Sequence, residues 1–122
     1  MMLSRGRVVS GLLAVALGVC FAPRAFAHAV LVNSTPRVDA TVDEGQLSVD
    51  LKFNSRIDGA RSRLYLAGPD GKVQMLKTAP SRSPDELTTK IATLPGGKYV
   101  IRWQVLASDG HITRGEIPFT VR

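Results

Sequence analysis

Two histidines of the 122-residue chain, His28 and His111, stand where a metal ion could be bound. His28 directly follows Ala25-Phe26-Ala27, which has the small-residue pattern of an export cleavage site. Cleavage there would make His28 the first residue. Its α-amine, with an ordinary pKa of about 7.7–8.0, and its imidazole Nδ1 could then chelate one ion. Cleavage would therefore place two nitrogen donors on a single residue.

The second histidine ends the stretch Ser108-Asp109-Gly110-His111. Asp109-Gly110 is a common turn dipeptide, and the Asp109 carboxylate could either bind the same ion weakly or orient His111. Three nitrogens in a roughly planar arrangement favour Cu(II), which prefers tetragonal nitrogen and oxygen sites and leads the divalent affinity order. We therefore expect one Cu(II) per mature chain. Because Met75 is the only methionine after residue 27, we expect no Cu(I) site.

These residues also have ordinary interpretations. A histidine after a cleavage site can be coincidental, and His111 beside a turn can be a plain surface residue. Trp103 is expected in the core. Its strand leads into the histidine loop, however, so Trp103 could instead line one side of the metal site. Three arginines are expected to be solvated, with docking of anionic lipid headgroups or an acidic partner as the alternative: Arg56, Arg61 and Arg63.

The first 27 residues have the order of a secretory signal peptide. Arg5 and Arg7 precede an apolar stretch, Val8–Phe21, that is short for a membrane span. We expect cleavage between Ala27 and His28 and a periplasmic location for the mature protein. A retained anchor and lipidation at Cys20 are the alternatives.

The mature chain, residues 28–122, would be less basic than the whole chain. Loss of Arg5, Arg7 and Arg24 leaves 13 of the 16 Lys and Arg against 10 Asp and Glu, so the net charge falls from +6 to +3. So small a charge excess does not favour nucleic acid as a partner. We expect the mature protein to be a monomer. The only cysteine, Cys20, also leaves, so a hydrophobic core rather than disulfides must hold one domain together.

Alternating hydrophobic residues predict an all-β fold. The stretch "LSVDLKF" (47–53) alternates strictly, as a half-buried strand does. Similar patterns predict two strands within 62–76 around a turn at Pro69-Asp70-Gly71, and further strands at 86–94, 98–107 and 116–122. Pro118 lacks an amide donor and predicts an edge position or a bulge. Turn signals about every ten residues indicate a small sandwich or Greek-key barrel of about seven strands.

Taken together, "HAVLVNSTP" (28–36) and "ASDGHITRGEIPFTV" (107–121) resemble the two ends of the CopC family of small bacterial copper-binding proteins. The resemblance rests at the front on His28, Ala29, Leu31, Ser34 and Pro36, and at the back on Asp109, His111, Gly115, Phe119 and Val121. It implies a seven-stranded Greek-key barrel of the cupredoxin or immunoglobulin-like kind. It also implies Cu(II) bound by His28 and His111, with Asp109 as a weak or outer ligand. A CopD-like inner-membrane protein is the implied partner.

The predicted function is therefore that of an exported Cu(II)-binding protein in copper homeostasis or resistance, not an enzyme. No second acid/base pair or partnered nucleophile is apparent in the sequence. One alternative is a small copper monooxygenase that uses an N-terminal histidine, although a chain of this size leaves little room for a broad substrate face. The other is a structural β-sandwich without metal.

Overall fold

The computed structural model describes residues 28–80 and 82–122, so the predicted leader, its cleavage and Cys20 lie outside the described part. A single-turn 3-10 helix occupies Gly59–Arg61, and within the described residues no helix is long and apolar enough to span a bilayer. The strands are β1 (Leu31–Thr35), β2 (Ala40–Val42), β3 (Leu47–Phe53), β4 (Arg63–Ala67), β5 (Val73–Leu76), β6 (Glu86–Ile91), β7 (Gly97–Leu106) and β8 (Ile112–Val121).

The strands form two sheets. Sheet A has the order β1-β3-β6, and sheet B has the order β2-β8-β7-β4-β5. All neighbours are antiparallel except β2 and β8, which are parallel. The chain passes from one sheet to the other after β1, β2, β3, β5 and β6, so each sheet is assembled from distant parts of the sequence. The predicted all-β class is confirmed, and of the two predicted architectures the structure shows the sandwich.

The core lies between the sheets because each long strand alternates buried and exposed positions. In β3, Val49, Leu51 and Phe53 are buried whereas Ser48 and Asp50 are exposed. The longer strands β7 and β8 supply the opposing face with Tyr99, Ile101, Trp103, Val105, Ile117, Phe119 and Val121. Full burial of one such side chain contributes about 1.5–3 kcal/mol, so this apolar interior holds the domain together.

The described chain has eight strands rather than the predicted seven, and two of them gave no clear pattern in the sequence. In β1 the pairing with β3 shifts between Leu31 and Asn33, which breaks the period of two around Val32. Strand β2 is only three residues long and none of them is fully buried. Strand β8 also begins at Ile112, four residues before the predicted start at 116.

The prediction of an edge position or a bulge at Pro118 is wrong, because β8 lies between β2 and β7 and pairs with β7 in unbroken register. The missing amide donor of Pro118 costs nothing on the β2 side, because β2 pairs with β8 only from Phe119 onward. The Pro118 carbonyl accepts a 2.7 Å bond from the Asp39 amide, so the nitrogen of Pro118 faces the same side, away from β7. No ladder hydrogen bond to β7 is lost by placing proline there.

Trp103 lies in the core, as predicted, and its indole lies against a glycine. Its ring packs edge-on against Phe53 with centroids 5.2 Å apart, and the side chain is 8% exposed. Trp103 pairs across the ladder with Gly115, where an added Cβ would lie 2.3 Å from the indole Cζ2. Glycine at 115 therefore makes room for the indole ring.

Candidate metal centre

The loop between β7 and β8 is closed by its own backbone. The Ala107 amide donates to the His111 carbonyl over 2.8 Å, and the Gly110 amide donates to the Ala107 carbonyl over 3.0 Å. Gly110 has φ of 86°, a left-handed conformation that glycine adopts without strain. The predicted turn at Asp109-Gly110 is thus confirmed, and it places Asp109 and His111 on one tight loop.

Within this loop the Asp109 carboxylate is directed at His111. Oδ1 accepts a 2.9 Å bond from the His111 amide, and Oδ2 lies 3.2 Å from Nδ1 of the same residue. The bond from the His111 amide is the main reason that the pKa of Asp109 is below its ordinary value. Burial opposes this bond and raises the pKa, whereas weaker interactions with the His111 side chain and the nearby His28 lower it further. Asp109 is therefore ionised at neutral pH and able to face a cation.

His28 lies beside this loop, although 83 residues separate it from His111 in sequence. The two imidazole rings are edge to face, with centroids 5.2 Å apart and planes inclined at 83°. One donor atom from each of His28, Asp109 and His111 lies within 4.8 Å of the others, and all three residues are exposed. Two nitrogens that share an ion at about 2 Å lie at most about 4 Å apart, so small rotations of exposed side chains suffice to bring the donors together.

The position of His28 is fixed by the two residues that follow it. Ala29 is buried in the core, and its carbonyl accepts a 2.9 Å bond from the Thr113 hydroxyl. The Val30 amide donates to Oδ1 of Asn54 over 2.8 Å, and the Val30 carbonyl accepts from the Asn54 amide over 3.0 Å. Thr113 belongs to sheet B and Asn54 follows the last strand residue of β3. Both sheets therefore hold the segment that carries His28.

Sequence reasoning did not identify Asn54 or Thr113. Each is a lone polar residue at or near a strand end, where such residues are common, and their partners are 24 and 84 residues away. The only local signal was that Asn54 directly follows the alternating stretch 47–53. Only the pairing of distant strands reveals that they position the first residues of the domain.

The three arginines singled out in the sequence are all exposed. The Arg56 carbonyl accepts a bond from the Ser108 amide and so supports the histidine loop from outside. Arg61 lies 3.8 Å from the Asp58 carboxylate, and the Arg63 guanidinium donates to carbonyls of the short helix and the residue after it. Arg61 and Arg63 thus have local partners.

Replacing Thr113 with valine should weaken metal binding by about ten- to a hundredfold, as is typical for loss of a residue that orients a ligand. The change removes the hydroxyl that holds the Ala29 carbonyl while keeping the branched shape of the side chain. Competition with a chromophoric Cu(II) chelator measures the change. Thr113→Ser keeps the hydroxyl and serves as the control; equal losses in both variants would show that this hydrogen bond does not position His28.

The fold and this cluster define a class: a small β-sandwich with two histidines and a carboxylate exposed at one end. The CopC domain model matches residues 31–122, so the chain belongs to the CopC family. The matched range includes Asp109 and His111, whereas His28 lies three residues before it.

Two of the three relatives that follow are named for copper. It is 29% identical to Protein YobA of Escherichia coli K12, over 99% of this chain and all of that protein. It is 29% identical to copper resistance protein C of Escherichia coli, over 87% of this chain and 89% of that protein. The copper transport protein CutJ of Bacillus subtilis is 28% identical over 86% of this chain, which corresponds to 20% of its own length.

Solved structures show the same fold. The CopC crystal structure from Methylosinus trichosporium OB3b superposes with a TM-score of 0.70 and 32% identity, covering 77% of this chain and 93% of that chain. PcoC, a methionine-rich copper resistance protein from Escherichia coli, gives a TM-score of 0.64 and 28% identity, covering 79% of this chain and 100% of that chain. The relatives whose names state a role are copper resistance or transport proteins, not enzymes. The predicted family and the non-enzymatic class are confirmed.

Proposed function

We propose that the mature protein binds one Cu(II) in the periplasm and acts there in copper homeostasis or resistance. The observation that carries the proposal is the meeting of His28, Asp109 and His111 at one exposed end of a CopC-family sandwich. Copper is the cargo rather than a resident cofactor. The copper-related names of several relatives support the same metal for this chain.

The proposed ligands are the His28 amine, the His28 imidazole and the His111 imidazole. In the uncut chain the His28 nitrogen is part of a peptide bond, so cleavage between Ala27 and His28 is required to supply the amine. A set of three nitrogens suits Cu(II) better than Zn(II), which prefers a tetrahedral set that is often rich in cysteine. We assign Asp109 to orienting His111, because both of its oxygens are directed at that residue.

The site is proposed to exchange copper with another protein rather than to store it. All three residues are exposed, so a partner can reach the ion without opening the core. No Cu(I) site is proposed, since Met75 is the single methionine after residue 27 and projects from β5 with 64% of its surface exposed. A CopD-like membrane protein is the proposed recipient or donor, and a monomer is the proposed state.

Titration of the exported protein with Cu(II), followed by electron paramagnetic resonance, tests the proposal. We expect an intact mass that begins at His28, one copper per chain and a tetragonal signal rich in nitrogen ligands. His111→Ala should lose one nitrogen from that signal. A mass beginning elsewhere would remove the amine from the site. A signal unchanged by His111→Ala, or the absence of copper binding, would contradict the ligand set.

A further inference from the structure

Among the outward-facing residues of the described strands, the charge excess lies on one sheet. On sheet A the outward positions of β3 and β6 carry no net charge, because two acids, Asp50 and Glu86, offset two lysines, Lys52 and Lys90. On sheet B the outward-facing charged residues of the described strands are four cations and one acid: Arg63, Lys98, Arg102, Arg114 and Glu116. The excess on this side, +3, equals the net charge predicted for the mature chain. We call the outward surface of sheet B the cationic sheet face.

A groove of about 560 Å³ crosses the cationic sheet face, with half-buried Tyr65 in its lining. Both arginines that line it, Arg102 and Arg114, are held in place by neighbours, and the lining also includes one acid, Glu116. Arg102 lies 3.3 Å from the Glu116 carboxylate, and Nε of Arg114 donates to Gln104 over 3.0 Å. A guanidinium held by one partner still offers donors, arranged in a fork that matches a carboxylate. The groove therefore presents ordered donors for acidic side chains.

One side of the groove ends at an open sheet edge. Strand β5 is the last strand of sheet B, and among the described residues it pairs only with β4. Its outward residues Val73 and Met75 are 50% and 64% exposed, and Lys72 and Lys77 flank the strand. Flanking lysines discourage indiscriminate pairing of edges, yet they suit an extended chain that carries acidic residues.

We propose that the cationic sheet face binds an extended acidic segment of a partner protein. An acidic segment fits better than a membrane, because the groove is concave and neither aromatic residue in its lining protrudes: Tyr65 is half-buried and Trp103 is buried. A membrane surface could contact the exposed side chains of β5 and the flanking lysines, but it would not follow the concave groove in which the two arginines lie. In an extended segment that alternates acidic and apolar residues, the acidic side chains share one face and would meet the arginines together.

The proposal stands on charge and shape, and does not depend on copper binding. The cationic sheet face does extend to the end of the sandwich that carries the histidines. Arg114 is three residues from His111 along the chain, or about 10 Å at the rise of a strand. A partner docked on this face would therefore lie beside the exposed cluster.

Nitrogen-15 NMR of the protein, produced from the full 122-residue chain and kept metal-free with chelator, tests the proposal. The probe is a short capped peptide in which glutamate and valine alternate. We expect shifts concentrated at β4, β5, β7 and β8, and an affinity that falls with added salt. The double variant Arg102→Gln and Arg114→Gln should bind about fivefold more weakly.

The matched control, Lys52→Gln with Lys90→Gln, removes two charges from sheet A and should change the affinity by less than about twofold. Equal losses in both double variants would overturn the proposal, since they would indicate attraction to net charge alone. An absence of peptide binding would overturn it as well. Binding to phosphatidylglycerol vesicles through the same arginines, without peptide binding, would assign the face to a membrane instead.

Discussion

Acetylation of the His28 α-amine should reduce Cu(II) affinity by about 10²- to 10⁴-fold, the range by which linking two binding groups raises the strength of binding. The amine and the imidazole belong to one residue, so loss of the amine removes the chelate and leaves the His28 and His111 imidazoles as separate nitrogen ligands. The α-amine has an ordinary pKa well below that of lysine, so acetylation near neutral pH modifies it first. Competition titration before and after modification measures the loss.

The control for acetylation is the same protein acetylated on one lysine and free at His28, separated by ion exchange and identified by peptide mass mapping. Its Cu(II) affinity should match that of untreated protein, because no lysine belongs to the described cluster. A similar loss in both modified forms would exclude the amine from the site and leave only the side-chain donors.

Gly115→Ala should lower the free energy of unfolding by about 3 kcal/mol, at the upper end of the usual cost of overpacking a core. The added Cβ would lie 2.3 Å from Cζ2 and 2.7 Å from Nε1 of Trp103. The indole is rigid, buried and packed against Phe53, so it cannot rotate away at little cost. Each kcal/mol corresponds to about 4–8 °C in Tm for a domain of this size, so thermal unfolding detects the change.

Gly59→Ala is the matched control for this substitution. Gly59 lies in the short helix, and an added Cβ there meets nothing within 4 Å. Its Tm should change by no more than a few degrees. If Gly115→Ala melted at the same temperature as the control, the close contact of Trp103 with Gly115 would not be a packing constraint.

The sequence predicted most of the fold where one face of a strand is buried. Strand β3 occupies the predicted range 47–53, because its buried and exposed residues alternate without interruption. Strands β1 and β2 were missed because a bulge breaks one pattern and the other is too short to form one. The location of Trp103 in the core was predicted. Its contact with Gly115 could not be predicted, because it depends on the register of β7 and β8.

The candidate site was predicted in part. His28, Asp109 and His111 were singled out from the cleavage signal, the turn dipeptide and a family resemblance, and the structure brings them together. Nothing in local sequence distinguishes Asn54 and Thr113 from other polar residues at strand ends. Their role arises only when residues 29 and 30 lie between the ends of β3 and β8, which is a property of the tertiary fold.

The attachment of residues 29 and 30 to both sheets has a mechanical consequence. His28 opens the described chain, and His111 lies on the last loop, before the final strand. An ion shared by these two residues closes the polypeptide into a ring through nearly the whole domain. A force applied between residue 30, which leaves the His28 amine free to bind, and the C-terminus of a copper-loaded molecule would then load the metal bonds together with the Thr113 and Asn54 hydrogen bonds. The force needed to extend the chain should therefore rise with copper and fall again when a chelator removes it.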